Sequence, residues 1–117
     1  MPMTQKEIWK LERGFWLGDA RYYAEHMADH AMMVFPEPVG VLQGDESVAG
    51  LAGAPRWSDV TFYVRTGTRA GDTLVLAYRA EATRVGAPPY VALCSSTYNH
   101  TGEGWELLAH QQTPVVG

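Results

Sequence analysis

Cysteine is almost absent from this 117-residue sequence, which has Cys94 alone and therefore no intramolecular disulfide. Cys94 ends an apolar run that begins at Val91, where a buried and inert thiol is expected. A reactive thiolate needs a nearby cation or a helix start, and the flanking sequence offers neither. This use of cysteine is typical of a protein from a reducing compartment.

Positive charge and long apolar runs are also scarce. The chain has 9 Lys and Arg against 13 Asp and Glu, a net charge of -4, and no cluster of basic residues. Without a basic patch there is no electrostatic basis for binding nucleic acid. No apolar run approaches the roughly 20 residues of a membrane-spanning helix, and the acidic N-terminal region does not resemble a signal peptide. We therefore expect a cytoplasmic protein with no membrane or nucleic-acid partner.

The first half of the chain predicts mainly helices. Thr4 and Glu7 form a capping box, and the apolar stripe that follows, with three- and four-residue spacing, stops at Gly18. Asp19 is placed to cap a second helix that ends near Asp29. Two shorter elements are expected after it, a strand over residues 31–35 and a helix over residues 44–53.

The second half alternates apolar and polar residues and predicts four strands. Val60, Phe62 and Val64 form the apolar side of the first strand. The other three are expected over residues 73–83, 90–98 and 105–115. The turns between them are short, so the strands form an antiparallel meander. Helices followed by a meander predict a single α+β domain over residues 1–117, with the helices packed into a curved antiparallel sheet.

A series of short segments spread over nearly the whole chain is shared with a known family. The segments are Gly18-Asp19, the Met33-Val34-Phe35-Pro36 run leading to Gly40, Gly44, Ser96-Thr97-Tyr98, and Trp105 with His110-Gln111-Gln112-Thr113-Pro114. In this order they resemble the NTF2-like superfamily, especially its small SnoaL-like branch of the DUF4440 type, whose function is unknown. The resemblance implies a cone-shaped fold with a pocket for a small apolar or amphipathic molecule. It also implies a homodimer packed through the outer sheet face, but no particular activity.

Glu37 is one candidate catalytic residue. The segment Pro36-Glu37-Pro38-Val39-Gly40 is similar to the one that carries the general base in the steroid isomerase branch, a carboxylate followed by Pro-Val-Gly. Flanking prolines restrict the backbone, and a dry pocket suits a carboxylate for proton transfer. Two departures are that Glu37 is one methylene longer than the family's Asp, and that Leu11 falls where the isomerase has a helix tyrosine. The alternative is a solvent-exposed loop glutamate.

His110 is the second candidate catalytic residue. Strict alternation groups it with Leu108 and Gln112, on the side of the last strand opposite Trp105 and Leu107. Inside the cone His110 would act as an acid, a base or a hydrogen-bond donor. On the outer face it would have a structural role or lie in a dimer interface, which is the role we favour.

Aromatic residues are the expected lining of the pocket. Tyr78 shares the core-facing side of its strand with the small Ala80, which leaves space beside the ring. Ordinary core packing explains Tyr78 nearly as well. The predicted pocket residues are Phe15, Phe35, Trp57, Tyr78 and Tyr98.

No cofactor or metal is predicted. The sequence has no phosphate-binding glycine motif, nucleophile elbow or zinc-type spacing of cysteine and histidine. His26 and His30 have the spacing of a metal-binding pair on a helix, but no third ligand is evident and the helix is expected to end near Asp29.

Three functions remain open from the sequence. The first is binding of a small molecule without strong catalysis. The second is a cofactor-free isomerase or dehydratase, in which Glu37 removes a proton next to a carbonyl and Tyr78 or His110 stabilises the oxygen. The third is a protein-interaction module that acts through the sheet face.

Overall fold

The computed structural model describes residues 5–52 and 56–116, with side chains over 6–50 and 56–116. In these ranges it contains three helices and six strands. They are α1 (Gln5–Leu17), α2 (Ala20–His26), β1 (Met27–Val34), β2 (Val41–Gln43), α3 (Asp45–Ala52), β3 (Asp59–Ala70), β4 (Thr73–Thr83), β5 (Tyr90–Thr101) and β6 (Gly104–Pro114). No helix in the described part of the chain is long and apolar enough to cross a membrane.

The strands form one sheet in the order β2-β1-β6-β5-β4-β3. Strands β3 to β6 pair antiparallel in sequence order, so the predicted meander is confirmed. Strand β1 pairs parallel with β6 and antiparallel with β2. The helices pack on the apolar face of the curved sheet and share one hydrophobic core with it. The predicted α+β arrangement is therefore confirmed.

Helix α1 ends and helix α2 begins where their sequence signals place them. The apolar stripe of α1 is buried, and the helix ends at Leu17, directly before Gly18. Asp19 caps α2 as predicted, because its side chain accepts a hydrogen bond from the Tyr22 N–H at 3.1 Å. Gly14 lets α2 approach closely, since a Cβ there would lie 2.0 Å from the Tyr22 hydroxyl. Thr4 of the capping box lies outside the described residues.

The predicted end of α2 near Asp29 is wrong. The helix ends at His26, and Met27 already has extended backbone angles (φ -105, ψ 139). Met27 pairs with Leu107 of β6, so β1 starts four residues earlier than predicted. Pairing with the sheet outweighs the local helical pattern here.

The remaining elements differ from prediction mainly in length. Helix α3 is present, and its predicted closing residues Gly53 and Pro55 lie outside the described ranges. Strands β3 and β5 extend to Ala70 and Thr101, which leaves two-residue turns after them. The three-residue strand β2 was not predicted, because its register is set only by pairing with β1.

Two irregularities move side chains to the face opposite the one that alternation predicts. The pairing of β3 with β4 shifts between Tyr63 and Thr66, and Val64 there has a left-handed φ of 53 and is 80% exposed rather than inward. A second shift lies in β6, where Leu107 pairs with Tyr98 but Ala109 pairs with Thr97. Each shift breaks the period of two at one point along the strand.

The shift in β6 decides where His110 points. Leu108 is the extra residue and is 41% exposed, while His110 returns to the buried side with Leu107 and is 6% exposed. The favoured placement of His110 on the outer face was therefore wrong. A bulge inserts one residue into the alternation, so every later side chain in β6 changes face.

Candidate functional site

A cavity of about 340 Å³ lies between the helices and the sheet. Its walls are mostly apolar and aromatic, formed by residues that include Phe15, Trp16, Met33, Phe35, Leu42 and Trp57. A few polar side chains interrupt this lining, namely Glu37, Ser47, Arg56, His110 and Gln112. Small-molecule sites in proteins have this size and this mixture of apolar walls with a few placed polar groups.

The structure gathers most of the sequence-predicted site residues around this cavity. Its lining contains Phe15, Phe35, Trp57, Glu37 and His110. Tyr78 and Tyr98, in contrast, are not among the lining residues, and both are buried in the core. Their hydroxyl groups donate hydrogen bonds to a carboxylate that the sequence analysis did not select.

Glu37 lies in the turn that joins β1 to β2. The turn is closed by hydrogen bonds from the Val39 N–H to the Pro36 carbonyl (3.1 Å) and from the Phe35 N–H to the Gly40 carbonyl (3.0 Å). Gly40 has a left-handed φ of +71, and the Glu37 carboxylate lies beside it. Glu37 is exposed and also lines the cavity, so it is open to solvent and to a cavity ligand.

The carboxylate missed from the sequence is Glu12 of α1, whose side chain is fully buried. It accepts hydrogen bonds from the hydroxyls of Tyr78, Ser96 and Tyr98. A buried carboxylate is stable only when such donors replace water. The signal was present in the sequence, because Glu12 falls four residues after Ile8, within the apolar stripe of α1.

His110 connects this buried carboxylate to the cavity wall. Its Nδ1 lies 2.6 Å from Ser96 Oγ and 3.5 Å from Glu12 Oε2. Its Nε2 lies 3.1 Å from the side-chain nitrogen of Gln112. The Gln112 oxygen in turn accepts a hydrogen bond from the Tyr90 hydroxyl at 3.0 Å. The result is a continuous chain of hydrogen bonds from the core to three residues that line the cavity.

Burial controls the protonation of the groups along this chain. It raises the pKa of Tyr78 and of Tyr98 well above the usual range, and the nearby Glu12 raises both further. Both phenols are therefore O–H donors. Burial also lowers the pKa of His110, while Glu12 acts in the opposite direction. The imidazole is therefore neutral at neutral pH.

Arg56 lines the cavity but is held by the backbone of α1. Its guanidinium donates hydrogen bonds to the carbonyls of Phe15 (2.8 Å), Trp16 (2.7 Å) and Gly18 (2.8 Å). These carbonyls at the helix C-terminus have no partners within the helix. Arg56 thereby anchors the neighbouring Trp57, whose ring stacks on Tyr90 with centroids 5.4 Å apart.

Ser47 is the unusual polar group of the lining. It is 1% exposed, and its hydroxyl has no hydrogen-bond partner within the described ranges. Buried polar groups almost always have a partner, so this hydroxyl is open to a polar atom of a ligand.

The histidine pair considered as a metal site is divided between two elements. His26 ends α2, and His30 lies on β1. The two side chains therefore do not share a helix face, and the described part of the chain contains no group of metal-binding side chains.

Several solved structures have the same architecture. A candidate ketosteroid isomerase from Parabacteroides distasonis matches with a TM-score of 0.81 and 13% identity, over 98% of this chain and 95% of that one. An NTF2-like protein from Cytophaga hutchinsonii gives a TM-score of 0.79 and 14% identity, over 97% and 100%. The S. rosetta CaMKII hub gives 0.79 and 14%, over 98% and 100%.

The chain therefore has the NTF2-like fold, as the sequence predicted. At these identities the similarity shows the fold and not an activity. No protein-family model matches the sequence, and no curated protein matches it. The SnoaL-like, DUF4440-type subtype thus stays a prediction.

The lowered pKa of His110 predicts how stability depends on pH. An unfolded histidine with a pKa near 6.5 binds a proton that the folded protein resists, so the contribution of His110 is complete above this pH and declines below it. We expect the free energy of unfolding to fall between about pH 7.5 and about pH 5.5, with a slope from His110 of at most about 1.4 kcal/mol per pH unit. Urea unfolding at both pH values measures this fall.

Two variants assign the effect. His110→Asn should lose this part of the pH dependence, whereas His30→Asn, which changes an exposed histidine of β1, should keep it. Equal pH dependence in His110→Asn and the unchanged protein would contradict the burial argument.

Proposed function

We propose that this protein binds a small apolar or amphipathic molecule in the cavity between its helices and its sheet. The observation that carries the proposal is the lining of the 340 Å³ cavity, which is aromatic and aliphatic with few polar groups. Apolar surface of this kind gains free energy when a ligand displaces water from it.

The polar groups support an amphipathic ligand. Ser47 stands on α3, while His110 and Gln112 stand on β6. A buried hydroxyl without a partner, as that of Ser47 is among the described residues, costs about 1–3 kcal/mol. A ligand that carries a polar group on an apolar skeleton recovers part of this cost, and its skeleton covers the aromatic walls.

Removing part of the aromatic wall should weaken binding. With the apolar probe para-nitroanisole, we expect Trp57→Ala to bind about tenfold more weakly than the unchanged protein, a loss of ~1.4 kcal/mol. Trp9→Ala is the matched control, because Trp9 is also half-buried but is not among the lining residues. Isothermal titration calorimetry measures both affinities, and an equal loss in the two variants would place binding outside the cavity.

A second candidate is a cofactor-free isomerase or dehydratase that moves a proton next to a carbonyl. The observation that favours it is that Glu37 and His110, two groups able to exchange protons, line the same apolar cavity. Such a reaction needs one group to remove the proton and another to stabilise the negative charge that develops on the carbonyl oxygen. Tyr78 is not available for the second role, because its hydroxyl donates to Glu12.

This candidate makes Glu37 the base. Glu37→Gln should then reduce turnover of an enone or a hydroxy-ketone by at least about a hundredfold, because general bases contribute at least this factor. The affinity of Glu37→Gln for para-nitroanisole should stay unchanged, since glutamine has nearly the same shape as glutamate at this position of the cavity lining. Proton NMR of the substrate follows the reaction, and unchanged turnover would exclude Glu37 as the base.

We further propose that the protein forms a homodimer through the outer face of its sheet. Apolar side chains on three neighbouring strands are exposed there, namely Met32 and Val34 of β1, Leu108 of β6 and Leu93 of β5. Exposed apolar surface across adjacent strands is typical of an interaction site. The hub domain with this same fold supports self-association of this architecture.

A charge on this surface should break the dimer. Leu93 is 52% exposed, and we expect Leu93→Glu to sediment as a monomer in analytical ultracentrifugation at concentrations where the unchanged protein is a dimer. Val85→Glu is the control, since Val85 is 97% exposed in the turn before β5. If the unchanged protein is a monomer, the dimer proposal is contradicted. The exposed apolar side chains of the sheet face would then favour binding of a different protein.

We also propose a cytoplasmic location, because a chain whose single cysteine has no partner for an intramolecular disulfide is typical of a reducing compartment. Cys94 is the only cysteine and is buried on the inner side of β5. Burial raises the pKa of its thiol to about 12, so the thiol stays protonated. A protonated buried thiol is a packing group rather than a redox group.

A further inference from the structure

We propose that His110 is the proton acceptor of the cavity, and that Glu12, acting through Ser96, is the positioning residue that prepares it for this role. The ligand class that follows is an apolar molecule with an acidic O–H, such as a phenol or an enol. This inference rests on the proposed function, because it requires a small molecule to enter the cavity.

The direction of each hydrogen bond around Glu12 follows from the number of protons available. The Tyr78 oxygen accepts the indole N–H of Trp16 at 3.0 Å, so the phenol proton of Tyr78 is free to go to Glu12. Tyr98 and Ser96 also donate to this carboxylate. With three O–H donors directed at it, the carboxylate is satisfied as the unprotonated, acceptor-only form.

This arrangement fixes the tautomer of His110. The hydroxyl proton of Ser96 is donated to Glu12, so Ser96 cannot also donate to His110. In the 2.6 Å contact between Ser96 Oγ and His110 Nδ1, the serine oxygen is therefore the acceptor, and Nδ1 carries the proton. In the neutral ring Nε2 is then unprotonated, and its lone pair can accept a hydrogen bond. It accepts from the Gln112 amide N–H at 3.1 Å, and the Gln112 oxygen accepts from Tyr90. Each hydrogen bond in this chain then has one donor and one acceptor.

The charge of Glu12 has one available counterpart among the described residues. The polar side chains nearest His110 are Glu12 from α1, Ser96 from β5 and Gln112 from its own strand, with the Tyr78 and Tyr98 phenols on the far side of the carboxylate. His110 becomes a cation when it is protonated, and its Nδ1 lies 3.5 Å from Glu12 Oε2. Arg56 at the cavity wall is committed to backbone carbonyls.

Proton transfer from a ligand to His110 gives the Glu12 carboxylate a cationic partner. The O–H bond of the ligand breaks and an N–H bond forms at Nε2, while the electron pair stays on the ligand oxygen as an oxyanion. The imidazolium keeps its Nδ1–H bond to Ser96 and faces the Glu12 carboxylate. To reach Nε2, the ligand O–H displaces the Gln112 amide N–H, and the new Nε2–H then donates to the ligand oxyanion while the Gln112 oxygen keeps its bond from Tyr90.

The ionisation of a bound phenol tests the inference, because the two possible environments shift it in opposite directions. An apolar cavity alone raises the pKa of a phenol, since burial disfavours the phenolate. Proton transfer to His110 lowers it instead, because the imidazolium then lies between the phenolate and the Glu12 carboxylate, and these two negative charges offset the burial that lowers the pKa of His110 in the unliganded protein. With para-nitrophenol as the probe, visible absorption reports the phenolate directly. We expect the bound probe to be about tenfold more ionised than free probe at the same pH, a shift of about one pKa unit.

Variants separate positioning from folding. With para-nitroanisole affinity as the check that the cavity is intact, Glu12→Gln should leave bound para-nitrophenol protonated, because the amide cannot stabilise the imidazolium. Glu103→Gln, in the exposed turn before β6, is the matched control and should behave as the unchanged protein. If Glu12→Gln does not fold, Ser96→Ala provides the same test, since it removes the link between Glu12 and His110 and leaves the carboxylate.

The outcomes distinguish this inference from the proposed function. If neither para-nitroanisole nor para-nitrophenol binds, both fail. If both bind and the bound phenol is protonated at a pH where free probe is ionised, the cavity binds ligands but His110 is not its proton acceptor. If the bound phenol is ionised equally in Glu12→Gln, Glu12 has no positioning role.

Discussion

The buried carboxylate of Glu12 is the interaction on which the site depends. One side chain of α1 collects hydrogen bonds from Tyr78 on β4 and from Ser96 and Tyr98 on β5. A carboxylate without these donors would be too costly to bury, and the hydroxyls without the carboxylate would be unsatisfied. This mutual requirement fixes how α1 sits on the sheet. It also fixes the orientation of His110, because Ser96 is shared between the carboxylate and the imidazole.

The bulge at Leu108 is the second constraint, and it links the network to the cavity. Without the extra residue, His110 would face outward with the exposed apolar side chains of β1 and β5. With it, His110 stands between the buried network and the cavity lining. One irregularity in β6 thus separates two surfaces of the sheet, an inner face with polar groups for a ligand and an outer face with apolar groups for a partner.

The sequence was sufficient for much of the fold, because the signals there are local. The stripe of α1, the Asp19 cap and the alternation of β4 each depend on residues close in the chain, and each was confirmed. The end of α2 and the strand β2 were not predictable in this way, since pairing with distant strands decides them.

The site was harder to predict than the fold. Aromatic lining residues such as Phe15 and Trp57 follow from hydrophobic patterning. The side on which His110 lies does not, because a bulge leaves no local sign that periodicity detects. Glu12 was overlooked for a different reason: an acidic residue on a helix is usually solvated, and its partners are more than sixty residues away in the chain. Only its position inside an apolar stripe marked it as buried.

The protonation state of His110 in the unliganded protein tests the account most directly, because every hydrogen bond from Glu12 to the cavity wall determines it. Nitrogen NMR of the imidazole at neutral pH distinguishes a protonated nitrogen from a bare one. The account predicts a neutral ring with the proton on Nδ1 and a bare Nε2. A neutral ring with the proton on Nε2 would reverse the chain of donors, and it would contradict both the role of Glu12 and that of His110 as a proton acceptor.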